Sequence, residues 1–226
     1  GVWTYELFQA DSTTALVDPI TIAAGADSSF VIRVTLPADG LTLGQEDMAS
    51  FSVTSAEGGK AVESFDITTV ALTPYSVPFN QDFATYLPTY WSEFKGLLAN
   101  PTVTTGATSS WTVDGFANDG TTGAAKANIY GATFNDWLAT PEIQLGAGMY
   151  HLSFDMALVE WSTTNVAALG EDDKFAVVVS TDGGATWNLD DALVVFDNTH
   201  VFSANENVEL DLSAYANSTI MIGFYG

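Results

Sequence analysis

Few residues in this chain could carry covalent or proton-transfer chemistry. Cysteine is absent, arginine occurs once at Arg33, and the histidines are His151 and His200. The adjacent carboxylates Asp172/Asp173 and Asp190/Asp191 could in principle supply a general acid and base. Neighbours on a strand point to opposite faces, however, so adjacency argues for loops and against a working pair. The densest polar phrase is "STDGGATW", Ser180 to Trp187, which joins a hydroxyl, a carboxylate, two glycines and an indole within eight residues.

That phrase fits Ser-x-Asp-x-Gly-x-Thr-Trp and resembles the Asp-box of sialidase propellers. Such an enzyme also needs several arginines for the sugar carboxylate, and a propeller repeats its boxes at blade spacing. The chain has one arginine and one box. The phrase therefore reads as a hairpin turn, with Ser180 and Asp182 bonding the turn backbone, Gly183 and Gly184 supplying positive φ, and Trp187 folding back. Nucleophilic catalysis is poorly served as well. His151 falls on the polar face of its strand, His200 in the loop "FDNTHVF", and no Gly-x-Ser-x-Gly elbow, zinc motif, P-loop or dinucleotide fingerprint occurs.

Composition narrows the function further. Five Lys+Arg stand against 28 Asp+Glu, a net charge of −23. Such a surface repels polyphosphates and anionic lipid, so no nucleic-acid partner is expected. No apolar run approaches the length of a membrane-spanning helix, and no membrane insertion is expected. Excess carboxylates suit divalent cations or a salty medium, and equally a solvated acidic shell.

Apolar residues recur with period two nearly throughout, as in "FVIRVTL", "ASFSVTS", "YHLSFDMAL", "FAVVVS", "VELDLS" and "IMIGFYG". Gly, Asp, Asn, Pro and Thr clusters separate them, and the fold class is all-β. Pro74 and Pro78 in "LTPYSVPFNQDF" mark a boundary, giving domains 1–76 and 77–226. The first should contain strands near 3–8, 18–24, 28–36, 48–55 and 62–72. Its "ITIAAGADSSFVIRVTLPADG" is similar to the later strands of bacterial immunoglobulin-like modules, which implies a partial sandwich whose first strands lie upstream of Gly1.

The second region carries five phrases in order: Phe79/Asp82/Phe83, Leu87/Pro88/Trp91, Trp137/Leu138/Thr140/Pro141/Ile143, Val177 to Trp187, and Asp211/Leu212/Ser213/Tyr215. Together they resemble the MAM-like jelly rolls of the cleaved adhesin and choice-of-anchor J families of bacterial surface proteins. The resemblance covers about two thirds of the chain. It implies a jelly-roll β-sandwich that lacks its last strand here, and export by the type IX route to the cell surface or the extracellular medium. A structural calcium is also implied, carried onto Asp82, Asp119, Asp136 and Asp173. Asn80, Asn118 in "GFANDGTTG" and Asn135 stand beside them as further oxygen donors, and turn capping by the same Asn and Asp residues is the competing reading.

Trp91, Trp111, Trp137, Trp161 and Trp187 fall in the second domain. Trp137 opens an apolar strand and is expected in the core, whereas Trp161, at a strand exit, is the candidate for a sugar-facing indole. The expected function is non-catalytic adhesion or binding, with an extracellular glycan or protein surface as partner. Two alternatives stand beside it: a carbohydrate-binding accessory domain of a polysaccharide-degrading enzyme, and a filament subunit that pairs with neighbouring copies of itself.

Overall fold

The computed structural model describes residues 2–23, 25–37, 40–54, 62–98, 109–131 and 134–226. It is all-β, with three short 3-10 turns at 116–118, 189–191 and 213–215. Among the described residues no helix is long and apolar enough to cross a membrane. The chain divides into two compact units, Gly1–Thr73 and Pro74–Gly226. The division falls slightly before the expected 76/77 boundary because Tyr75–Ser76 already pairs with Ile143–Gln144 of the second unit.

The first unit has two antiparallel pairs: β1 (Thr4–Gln9) with β2 (Phe30–Thr35), and β3 (Glu46–Thr54) with β4 (Val62–Val70). They face each other through aromatic side chains. Tyr5 meets Phe51 edge-on at 6.0 Å and Phe30 lies 6.4 Å from Phe65, while Phe51 stacks at 5.5 Å on Phe65, its cross-strand neighbour within the β3–β4 pair. The Tyr5 hydroxyl crosses the layer to Asp47 Oδ2 at 2.7 Å. The expected strand at 18–24 does not form over its described residues, and Ala24 lies outside them. Its alternating Ile20 and Ile22 are exposed. Pro19 can donate no ladder hydrogen bond and the Gly25 turn follows at once, so the alternation finds no partner strand.

The second unit is built from β5 (Tyr75–Ser76), β6 (Ser92–Lys95), β7 (Thr112–Asp114), β8 (Ala124–Lys126), β9 (Asp136–Ala139), β10 (Ile143–Gln144), β11 (His151–Met156), β12 (Phe175–Ser180), β13 (Ala192–Phe196), β14 (Glu206–Asp211) and β15 (Thr219–Tyr225). Seven of these form one branched sheet around β15. One edge of β15 pairs along β12, which pairs with β13. Its other edge is shared: Thr219 and Ile220 pair with β10, and Gly223 to Tyr225 pair with β9. Thr140 bridges the gap. It donates its N–H to the Ile222 carbonyl, and its hydroxyl accepts from the Ile222 N–H, both at 2.9 Å. Pro141, which follows, has no N–H to offer.

Both faces of this sheet are covered, which is why Val177, Val178 and Val179 are all buried despite adjacent, opposed directions. On one face, Val177, Val179, Ile220 and Ile222 pack with Leu152, Phe154 and Leu210 of the β11–β14 pair. On the other, Trp137, Trp187 and Phe94 cluster at centroid distances of 5.4–5.6 Å. Small residues beneath the indoles, Ala139, Ala176 and Gly223, make the room.

The five phrases meet around β15. Phe79 and Phe83 pack on Trp91, which stacks on Phe224 at 6.4 Å with planes 13° apart. Thr140 bonds Ile222, Trp187 lies against Gly223, and Leu212 enters the sandwich core. A Cβ on Gly223 would sit 2.6 Å from Trp187 Cζ3 and 3.0 Å from Trp137 Cε3. Gly223→Ala should therefore cost about 1–3 kcal/mol by overpacking, read as a lower denaturation midpoint with an unchanged denaturant slope.

Candidate functional site

The Ser180–Trp187 phrase is a closed hydrogen-bonded turn between β12 and β13. Ser180 Oγ donates to Asp182 Oδ1 at 2.7 Å and accepts from the Gly184 N–H at 3.0 Å. Asp182 accepts from the Thr186 N–H at 3.1 Å and from the Thr186 hydroxyl at 2.7 Å. Gly183 and Gly184 take φ of 71° and 80°, and Trp187 Nε1 donates to the Gly184 carbonyl at 3.1 Å. Ser180 and Trp187 are buried. The hydroxyls and carboxylate that suggested chemistry are thus bonded to one another and to the turn backbone. The Ser180 and Thr186 hydrogen bonds hold the Asp182 carboxyl below the ordinary aspartate value of 3.8.

The histidines have separate structural settings. His151 is exposed on β11, opposite Asp211. His200 Nε2 lies 2.8 Å from Glu206 Oε1, with its ring edge-on to Phe196 and Phe202 at 4.6 Å each. A cleft of about 150 Å³ opens where β9, β12 and β15 meet, lined by Ile129, Phe134, Asn135, Asp172, Asp173 and Tyr225 among others. Neither histidine lines it. Burial pushes the Tyr225 hydroxyl pKa up, keeping it a neutral donor, and it donates to Asn135 Oδ1 at 2.7 Å.

The four aspartates considered for calcium occupy four different settings. Asp82 is exposed and caps the Ala84 N–H at 3.0 Å. Asp119 is exposed beside the 116–118 turn, its own N–H bonded to the Phe116 carbonyl. Asp173 accepts from the Gly170 N–H at 2.8 Å. Asp136 is fully buried, and its countercharge is Lys95 Nζ, 3.1 Å from Oδ1, while Oδ2 accepts from the Ser110 N–H at 2.7 Å. Among the described residues no three His, Asp or Glu side chains group closely enough to hold a metal ion.

Trp161 has the most open indole setting. The chain leaves β11, makes the Val159–Val166 bridge, and reverses over 160–165. The Glu160 N–H donates to the Asn165 carbonyl at 2.9 Å, and the Glu160 carboxylate accepts from Asn165 Nδ2 at 3.1 Å. Trp161 stands at the tip of this reversal, 69% exposed. Two residues from elsewhere in the chain support it. Asn118 donates its amide to the Glu160 and Thr163 carbonyls at 3.1 and 2.6 Å, pinning the reversal from outside. Lys126 Nζ lies 5.4 Å from the Trp161 ring centroid and 2.5 Å from Asp114 Oδ2. The lysine holds the Asp114 carboxyl below the usual carboxylate range. Asn118 belonged to the calcium-candidate loop "GFANDGTTG" by sequence, and here it is a clamp. Lys126 carries no motif that would have identified it.

No family model matches the chain, and comparison with curated proteins and with solved structures gives no match either.

The depressed Asp182 carboxyl has a definite sign in stability. Its contribution is complete above the ordinary aspartate value and fades as pH falls through the lower folded-state value. Thermal melts between about pH 4 and pH 2 should show a shallower acid decline for Asp182→Asn than for the native chain, from a lower starting Tm.

Proposed function

We propose that this chain is a non-catalytic binding module of a large secreted or surface-attached bacterial protein, presenting Trp161 to an extracellular glycan or protein surface. The observation that carries this reading is the Trp161 turn: an open indole on a hairpin tip whose backbone is already fixed by Asn118 and Glu160. A fixed aromatic loses little conformational freedom on binding, which is why such residues anchor recognition surfaces. The closed Asp182 turn and the structural settings of His151 and His200 support a role without bond-making chemistry. The resemblance of the five phrases to the cleaved adhesin and choice-of-anchor J families supports adhesion as the purpose of the binding.

A carbohydrate-binding role is the second reading, favoured by the indole beside the Lys126–Asp114 pair, an aromatic platform with polar neighbours. A glycan array and a cell-surface binding assay with the native chain and Trp161→Ala test both. Loss of the indole should weaken binding roughly three- to tenfold, and Asn118→Ala should give a smaller loss by loosening the turn. Unchanged binding by Trp161→Ala rejects the site. Glycan signal lost with Trp161→Ala selects the carbohydrate reading, and protein-only binding selects adhesion. Calcium belongs to this reading only through the family resemblance. If it is structural, adding calcium raises Tm and a chelator reverses the rise; identical melts in both remove it.

A further inference from the structure

One ammonium, that of Lys126, meets three separate parts of the second unit. Lys126 pairs with Thr112 across the β7–β8 ladder, which puts Asp114 diagonal to it on the same face. Its Nζ lies 2.5 Å from Asp114 Oδ2, donates to Asn118 Oδ1 at 3.4 Å, and sits 5.4 Å from the Trp161 ring centroid. A lysine head has three donors and no acceptor, so a carboxylate, an amide oxygen and a π face suit it together.

The frame around this ion is tightly built. Asp114 Oδ1 accepts from the Gly115 N–H at 2.9 Å. A Cβ on Gly115 would sit 1.9 Å from the Asp119 carbonyl oxygen, so the exit of β7 lies directly against the end of the turn that carries Asn118. Asn118 itself takes a φ of 63°, a left-handed conformation that asparagine tolerates.

A lysine beside an exposed indole can reach outward to anchor an anionic ligand group, or stay inward and hold the ring. Burial decides between them. Asp114 Oδ2 is closed to solvent, and no other donor among the described residues reaches it. Swinging the ammonium out to a ligand would strand that carboxylate, a larger loss than an exposed ion pair returns. The lysine therefore stays with Asp114, and the indole face it meets is taken. We propose that Lys126 is the positioning residue of the Trp161 surface: pinned by Asp114, it holds one face of the indole, leaves the other face for recognition, and does not serve as an anion anchor. Asn118 and Glu160 fix the backbone of the turn, and Lys126 fixes the side chain upon it. The purpose of this arrangement rests on the Trp161 reading above, whereas the orientation of the ring is measured without any ligand.

The test uses the intact chain labelled with fluorotryptophan, the Trp161 fluorine resonance being identified by its loss in Trp161→Phe. The variants are Lys126→Arg, Lys126→Met, and Lys126→Met combined with Asp114→Asn. The double change removes the buried carboxylate, so it remains informative if the single change disrupts the β7–β8 pair. Both Met variants should move the Trp161 resonance toward that of the free fluoroindole while the other tryptophan signals stay in place. Lys126→Arg, which keeps a cation over the ring, should stay close to the native position. Amide exchange over 160–165 should be unchanged by Lys126→Met and faster in Asn118→Ala. In the glycan and cell-surface assays Lys126→Met should weaken binding roughly two- to fivefold. A Trp161 resonance unmoved by loss of the ammonium overturns the proposal, as does an Arg variant that matches Met. Titration with sodium acetate, against sodium chloride at equal ionic strength, tests the anchor role. A saturable Trp161 shift that vanishes in Lys126→Met would make the lysine an anion anchor and overturn the proposal too. A resonance that moves as expected, in a chain whose binding is unchanged by Trp161→Ala, supports the positioning and ends the recognition reading.

Discussion

The second unit depends on one steric fit: two indoles lying flat on a sheet face stripped of side-chain bulk. Trp187 and Trp137 occupy that face because Gly223, Ala139 and Ala176 leave space for them. With their rings in place the sheet is apolar on both sides, and Val177 to Val179 need no solvent-facing position. The Ser180–Asp182–Thr186 hydrogen bonds follow from the same fit. They give the turn the shape that brings the Trp187 ring back under its own strand, so the polar phrase serves the apolar one.

Much of this was legible from residue order. Period-two alternation located β11, where Leu152, Phe154 and Met156 turn inward while Ser153 and Asp155 face water. The Asp-box spacing predicted the turn with its partners and glycine conformations. Trp137 was expected in the core because it opens an apolar strand, and it is there. The alternation in "PITIA" had the same form and made no strand, because a strand needs a neighbour as well as a pattern. Periodicity reports which side chains could share a face and is silent on whether another backbone lies alongside.

The surroundings of Trp161 were the least legible part. Its position at a strand exit signalled exposure, but Asn118 meets the Glu160 carbonyl across 42 residues of chain. No local pattern encodes that approach. The aspartates posed a related difficulty: Asn and Asp in loops serve as caps or as cation ligands with identical local sequence. At Asp136 only the register of β6 against β9 reveals that Lys95 sits opposite. The lysine then supplies the positive charge that the burial of Asp136 requires.

The branched edge of β15 carries a consequence for the order of events during folding. Its partners β9, β10 and β12 all precede it by dozens of residues, and none of the three pairs directly with another. Until Thr219–Tyr225 is available, those segments have no common template, and local hairpins such as β12–β13 are the structure within reach. Assembly therefore depends on long-range closure, the slow regime for two-state domains. The β6–β9 and β12–β13 pairs can form before this strand is made, and they become one sheet only once Thr219–Tyr225 lies between β9 and β12.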